Sequence, residues 1–245
     1  MSIYSKILEN IKKNKKQFAV LIDPDKLEKE EISKISKTAI EAEVDFFFVG
    51  GSLLTNDNFA HCIKILKQNS EIPVLIFPGN NLQINQNADG ILFLSLISGR
   101  NAEMLIGKHV IAAPYIKAFG LETIPTGYML IDSGKATTAL YMSNSFPIPC
   151  DKDEIAMCTA MAGEMLGLKM IYMDAGSGAA STISTKMISK VKQNISVPLV
   201  IGGGIKTPEK AVECCKAGAD IIVVGNAIEE NFPLIRNISD ALKMV

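Results

Sequence analysis

Histidine is scarce. It occurs twice in 245 residues, as His61 and His109, and neither falls at an expected site. Histidine-based acid–base or triad chemistry is therefore not expected. The five cysteines are Cys62, Cys150, Cys158, Cys214 and Cys215. Their number is odd, and no spacing fits a zinc site or a redox Cys-x-x-Cys. They read as free thiols in a reducing compartment. No apolar run approaches the ~18 residues of a membrane span, and the first residues lack the apolar stretch of a signal peptide. A soluble, cytoplasmic protein is expected. The net charge is only −1, so there is no footprint for nucleic acid. Lys12, Lys13, Lys15 and Lys16 form one basic cluster, read as a solvated helix end or a weak contact with an anionic surface. No linker, low-complexity tract or internal repeat stands out, and the length suits one α/β barrel domain spanning 1–245.

What is present is a series of short apolar runs alternating with helical periods. An amphipathic helix is expected over 3–16, then strands at Phe18–Ile22, Phe46–Val49, Pro73–Phe77, Gly90–Leu94, Gly127–Ile131 and Lys169–Met173. Two further strands surround Val200 and Val223. Helical faces read as Ile32, Ile35, Ala39 and Ala42; then Phe59, Cys62, Ile63 and Leu66, with Thr55 as cap. A short helix is expected over 101–107, irregular chain over 108–125 around Pro114 and Pro125, and a polar loop over 132–150. Asp151 and Glu154 resemble a capping box before a helix whose face is Ile155, Cys158, Met161, Ala162 and Met165. Ile183, Met187, Ile188 and Val191 mark the next helix. Thr207 caps another, with Pro208 in its first turn, and Leu234–Leu242 is the last. The pattern implies a (βα)8 TIM barrel.

One link is short. Only residues 78–89 separate the third and fourth strands, and they hold Pro, Gly and four Asn with no helical period. A parallel crossover normally carries a helix there. The barrel should lack a regular third helix, either as a plain deletion or as a slot for a long ligand.

In such a barrel the strand C-termini face one common site. Those ends carry Asp23 and Asp25, then Ser52, Asp174 and two glycine turns, Gly202-Gly203-Gly204 and Gly225-Asn226. Glycine turns after the seventh and eighth strands suit a phosphate group. Asp23 and Asp25 are hard oxygen donors. They fit Mg²⁺, which takes one or two carboxylates plus substrate phosphates; Asp25 reads equally well as the cap of its following helix. Ser52 offers a neutral oxygen or a helix start. Asp174 would repel a phosphate and is better suited to bind or activate a hydroxyl, unless it only bonds its own turn.

Five motifs together, Leu-Ile-Asp-Pro-Asp-Lys, Phe-Val-Gly-Gly-Ser, Tyr-Met-Asp-Ala-Gly-Ser-Gly-Ala, Ile-Gly-Gly-Gly-Ile and Val-Val-Gly-Asn, resemble the geranylgeranylglyceryl phosphate synthases and the related bacterial heptaprenylglyceryl phosphate synthases. The stretch Ser95 to Asn101 is similar to theirs as well. The resemblance runs from the first strand to the eighth. It implies a prenyltransferase that joins an all-trans prenyl diphosphate, such as geranylgeranyl diphosphate, to the 3-hydroxyl of sn-glycerol 1-phosphate. Diphosphate leaves with Mg²⁺ as cofactor. By the same resemblance Asp23 and Ser52 hold the metal. Tyr172, Met173, Asp174, Ala175, Gly176, Ser177, Gly178, Gly203, Gly204, Gly225 and Asn226 hold the glycerol phosphate. It also implies a missing third barrel helix, a groove for the isoprenoid and a homo-oligomer. A transient contact with a membrane surface goes with such a substrate.

This chain has Asp174 where the family often has Glu, one methylene longer. The reading of that carboxylate as base is correspondingly open. Two rival functions share the same glycine turns: a barrel enzyme acting on a sugar phosphate, by isomerisation or with flavin, and a non-catalytic prenyl-lipid binder. Phe93, Leu96 and Ile97 are candidates for the groove wall, with core packing as their ordinary role. The roles of Asp25 and Arg100 stay open.

Overall fold

The computed structural model describes residues 2–245. Helix α1 (Ile3–Lys12) leads into β1 (Gln17–Ile22), α2 (Lys29–Glu41), β2 (Phe46–Val49), α3 (Phe59–Asn69), β3 (Val74–Ile76) and β4 (Gly90–Leu96). Then come α4 (Lys108–Phe119), β5 (Glu122–Leu130), α5 (Thr138–Ser143), α6 (Asp153–Met165), β6 (Met170–Asp174) and α7 (Thr185–Lys192). The chain ends with β7 (Leu199–Gly202), α8 (Pro208–Ala217), β8 (Ile221–Val224), α9 (Asn226–Glu230) and α10 (Leu234–Leu242). The strands close into a parallel barrel in sequence order, sealed where Ala19 of β1 meets Val223 of β8.

Strand side chains alternate between two apolar layers. Ala19, Phe46, Phe48, Leu75, Leu92 and Val200 fill the barrel, and Ile7 of α1 stoppers its lower end. Phe18, Val20, Phe47, Val49 and Ile201 face outward against the helices. A repeated device fixes the bottom. Asp45, Asp89 and Asp220 stand just before β2, β4 and β8. Each accepts a backbone N–H from the start of the preceding strand, from Phe18, Val74 and Leu199, at 3.0, 2.8 and 2.8 Å. Each also pairs with a lysine: Lys15, Lys67 and Lys192. These carboxylates serve stability, while those at the opposite rim are left for chemistry.

Between β3 and β4 the described residues carry no helix, as the short link implied. The link is pinned instead by Gln83, only 2% exposed. Its amide donates to the Gly51 carbonyl at 2.8 Å and accepts from the Gly79 N–H at 3.1 Å. Gly79 lies so close that an added Cβ would sit 2.1 Å from the Gly51 carbonyl oxygen. Backbone thus packs on backbone beside Ser52.

Several local expectations need correction. The first helix stops at Lys12, not 16, because Asn14 takes φ 56° and turns the chain left-handed. The lysine cluster is the solvated helix end expected, with Lys12, Lys13 and Lys15 exposed; Lys13 pairs with Glu9, Lys15 with Asp45, and Lys16 donates to the Ala219 carbonyl. Residues 108–125 are not irregular. A wide π turn (Glu103–Gly107) runs into α4, and Pro114 lies inside that helix. A proline removes only the bond to the carbonyl four residues back. Here that residue is Val110, 67% exposed, so water can serve the freed carbonyl. Pro125 lies inside β5, which starts at Glu122. Its carbonyl accepts from Lys169, so its nitrogen faces the same side, ahead of the first residue of β6.

The expected polar loop over 132–150 contains α5, capped by Thr137. Asp151 and Glu154 do not form a capping box: α6 begins at Asp153 without a side-chain cap, and these two acids pair with Lys152 and Lys190. The period expected for α6 is right but its phase is reversed. Ala156, Ala160 and Gly163 face the barrel, whereas Ile155 and Met165 are exposed. Small residues allow close approach: a Cβ on Gly163 would meet the Ile97 side chain at 2.8 Å. Thr55 does not cap α3, which starts after Asn58.

Candidate functional site

At the upper rim a cavity of about 340 Å³ is lined by residues from the ends of β1, β2, β5, β6, β7 and β8. Asp23, Ser52, Tyr172, Asp174, Gly176, Ser177, Gly178, Gly203, Gly204, Gly225 and Asn226 all line it. The expected site residues therefore converge, with two exceptions. Met173 and Ala175 point outward into the layer between barrel and helices, because strand side chains alternate.

The glycine turns form one wall. Ser177 Oγ donates to Asn226 Oδ1 at 2.9 Å and joins the loops after β6 and β8. Gly203 has φ 79°, and a Cβ there would lie 2.6 Å from Gly176 N and 2.7 Å from Asp174 Oδ1. Backbone N–H groups can approach an anion only because this position carries no side chain. Gly203→Ala should cost about 1–3 kcal/mol of stability through strain. It should also weaken phosphate-monoester binding about tenfold or more. Calorimetry with a phosphate monoester checks this; unchanged affinity would remove Gly203 from the cradle.

Asp174 is buried at the end of β6. Its Oδ2 accepts from the Tyr128 hydroxyl at 2.5 Å, and its Oδ1 from Gly176 N–H at 2.7 Å. Burial raises its pKa above the ordinary carboxylate range, against the pull of these two donors. Burial and the Asp174 charge push Tyr128 well above the ordinary tyrosine value, so the phenol stays a neutral donor. Sequence reasoning missed Tyr128. The available signal was its place two residues before the end of β5, paired in register with Tyr172.

The carboxylates of the first loop have separate tasks. Asp23 lines the cavity, with its Oδ1 3.1 Å from where a Cβ on Gly51 would stand. Asp25 does not cap its own following helix; Glu28 does that. It instead binds the N–H and hydroxyl of Thr55 (2.9 Å to Oγ1) and the N–H of Asn56, tying the first loop to the loop that carries Ser52. Arg100 donates to the Gly99 carbonyl at 2.8 Å and shapes its own turn.

Beside this cavity, where the third helix would stand, lies an apolar groove of about 140 Å³ between the 78–84 link and α4. Phe93 and Leu96 line it as expected; Ile97 does not, since it packs between β5 and α6. His109, which falls at none of the expected strand-end positions, also lines the groove. It meets Phe93 edge-on at 4.4 Å, and desolvation lowers its pKa and favours neutral imidazole. The groove and the polar cavity share Gly51, Ser52, Phe77, Tyr128 and Ala139.

The donor set suits a particular kind of metal. Among the described residues no group of three or more His, Cys, Asp or Glu forms a cage. A carboxylate and a hydroxyl facing an open cavity suit a hard cation that completes its shell with water and phosphate oxygens. Asp23, Asp25, Asp174 and Glu229 face only Lys26 and Lys206 there. A cavity with this excess of negative side chains accommodates phosphates best together with a divalent cation.

The sequence profile of the PcrB family matches residues 9–243. A geranylgeranylglyceryl phosphate synthase from Chitinophaga pinensis is 52% identical over 240 residues, covering 98% of this chain and 95% of that one. The protein of the same name from Pyrococcus furiosus is 39% identical, with coverage of 91% and 88%. The crystal structure of (S)-3-O-geranylgeranylglyceryl phosphate synthase from Thermoplasma acidophilum, in complex with its substrate sn-glycerol-1-phosphate, superposes with a TM-score of 0.94. It is 32% identical and both chains are fully covered.

Proposed function

This chain belongs to the PcrB family, and from that membership we infer its reaction. It joins a prenyl diphosphate to sn-glycerol 1-phosphate, releasing diphosphate and forming the ether bond of a lipid precursor. The observation that carries this reading is the meeting of two unlike cavities at Tyr128 and Ser52. The glycine-lined half suits a phosphate head, and the apolar half suits a hydrocarbon chain. A two-ended sugar phosphate would call for a second anion cradle where this protein has an apolar groove.

In this mechanism the acceptor phosphate rests on Gly203, Gly204, Gly225 and Asn226, which directs the glycerol 3-hydroxyl towards Asp174. Tyr128 and the Gly176 N–H hold that carboxylate still, so it can accept the hydroxyl proton as the new C–O bond forms. The isoprenoid lies along Phe93 and Leu96, and burial of its apolar surface adds roughly 25 cal/mol per Å². Asp23 and Ser52 would hold Mg²⁺, which supplies charge stabilisation for the departing diphosphate. Geranylgeranyl diphosphate is the proposed donor. The exposed apolar residues Val110, Ile111 and Tyr115 on α4, with Ile155 and Met165 on α6, support a homo-oligomer and brief contact with lipid. No helix among the described residues is long and apolar enough to cross a membrane. A cytoplasmic site of action suits the free thiols Cys62, Cys214 and Cys215.

The deciding experiment offers purified protein, Mg²⁺ and a ladder of prenyl diphosphates, with sn-glycerol 1-phosphate or its 3-phosphate enantiomer as acceptor. Transfer to the 1-phosphate alone, best with the C20 donor, is the expected result. Binding of both substrates without product would favour a lipid-binding role instead.

A further inference from the structure

Lys26 closes the Asp-Pro-Asp-Lys turn, and nothing above gives it work. Its ammonium lies 3.3 Å from Glu229 Oε2 and 3.5 Å from Asp23 Oδ2. Glu229 is on α9, immediately after the Gly225-Asn226 turn, and its side chain is only 12% exposed. Such a carboxylate needs a partner to remain charged. Lys26 therefore has a fixed tether on one side. On the other it faces the cavity beside Asp23. An ammonium has three donors, and Glu229 takes one of them within hydrogen-bond range.

We propose that Lys26 binds the diphosphate of the prenyl donor, with Glu229 as the positioning residue that holds its ammonium at the cavity wall. This rests on the transfer reaction inferred above. As the bond from C1 to the diphosphate oxygen breaks, its electron pair passes to the diphosphate. The acceptor hydroxyl oxygen forms the new bond to C1 and gives up its proton at Asp174. Lys26 offers hydrogen bonds to the oxygens on which charge accumulates. Its flexible stem lets it turn from Asp23 towards the phosphate without leaving Glu229.

The test compares Lys26→Met, Lys26→Arg and Glu229→Gln with the unaltered protein. Loss of one charge-assisted bond should raise the KM for prenyl diphosphate and the inhibition constant for inorganic pyrophosphate about tenfold each. The KM for sn-glycerol 1-phosphate should stay within about twofold, because Gly203, Gly204, Gly225 and Asn226 hold the acceptor phosphate without Lys26. Lys26→Arg should recover most of the loss, and Glu229→Gln should show a smaller shift in the same direction. Calorimetry with inorganic pyrophosphate and Mg²⁺ reads the contact without turnover. Tenfold weaker binding by Lys26→Met supports the assignment even where transfer itself proves absent. Unchanged pyrophosphate binding in Lys26→Met would overturn it. So would an equal rise in both substrate KM values, which would mark Lys26 as a mere staple between two loops.

Discussion

Asp23→Asn is expected to lower turnover about 10³-fold, or about 4 kcal/mol of transition-state stabilisation. The amide keeps a carbonyl oxygen for the Asp25 N–H, which now donates to Asp23 Oδ1 at 3.2 Å. The loop should therefore retain its shape, leaving loss of charge as the main change. A neutral amide oxygen holds a hard divalent cation less tightly than a carboxylate does, and the departing diphosphate would then lose most of the metal's charge stabilisation. The check is a rate titration against Mg²⁺. The variant should need far more metal for half its maximal rate, while its affinity for sn-glycerol 1-phosphate barely moves. A metal response like that of the unaltered protein would rule out Asp23 as the ligand.

For Asp174→Asn the expected loss is about 10²-fold in turnover, the lower end of what a positioned base contributes. Allylic carbocation character at C1 would demand less of the nucleophile, which argues against a larger value. Stability should respond in the opposite sense. Burial raises the pKa of Asp174 in the folded protein. The folded state then binds more protons than the unfolded one between the ordinary aspartate value and the raised value. Across that window Asp174 contributes stability that is lost as pH rises. Above that window the native protein carries a costly buried charge, and the asparagine variant does not. Its melting temperature, relative to the native protein, should rise as pH climbs through the window, while its activity falls short. In the native enzyme the acid limb of the rate profile should follow the raised pKa. A turnover equal to wild type would remove Asp174 from the mechanism.

The rim chemistry was legible because strand ends in a closed barrel converge whatever the helices do. Asp23, Ser52, Asp174 and the glycines needed only the order of apolar runs to be brought together. The link at 78–89 was legible from its shortness together with its Pro, Gly and four Asn, which leave no helical apolar period. Side-chain partners were harder. Tyr128 and Gln83 sit in stretches whose pattern reads as packing or loop, and their importance comes from residues distant in sequence, Asp174 and Gly51. Helix α4 was hidden by Pro114 and by being apolar on both sides: Ala112 and Ile116 face inward while Val110 and Tyr115 face out. With no polar stripe there is little period to detect. In α6 the period was visible, but the barrel took the small residues and left the large ones outside.

The joined cavities affect the end of the cycle as well as its chemistry. The glycerol phosphate occupies the polar chamber alone, whereas the prenyl donor already spans both, its diphosphate beside Asp23 and its tail along Phe93 and Leu96. The product has a head in one and a tail in the other, connected by a new covalent bond. When either end slips out, the other keeps it nearby at high effective concentration, and rebinding competes with escape. Departure is therefore expected to be slow compared with loss of the glycerol phosphate acceptor. The missing helix bears on this too. A fully walled barrel would make the tail thread upward past the glycine turns, whereas the gap beside the Gln83-pinned link opens sideways along the tail's length. An amphiphile can then leave broadside, in the orientation a lipid monolayer would receive it.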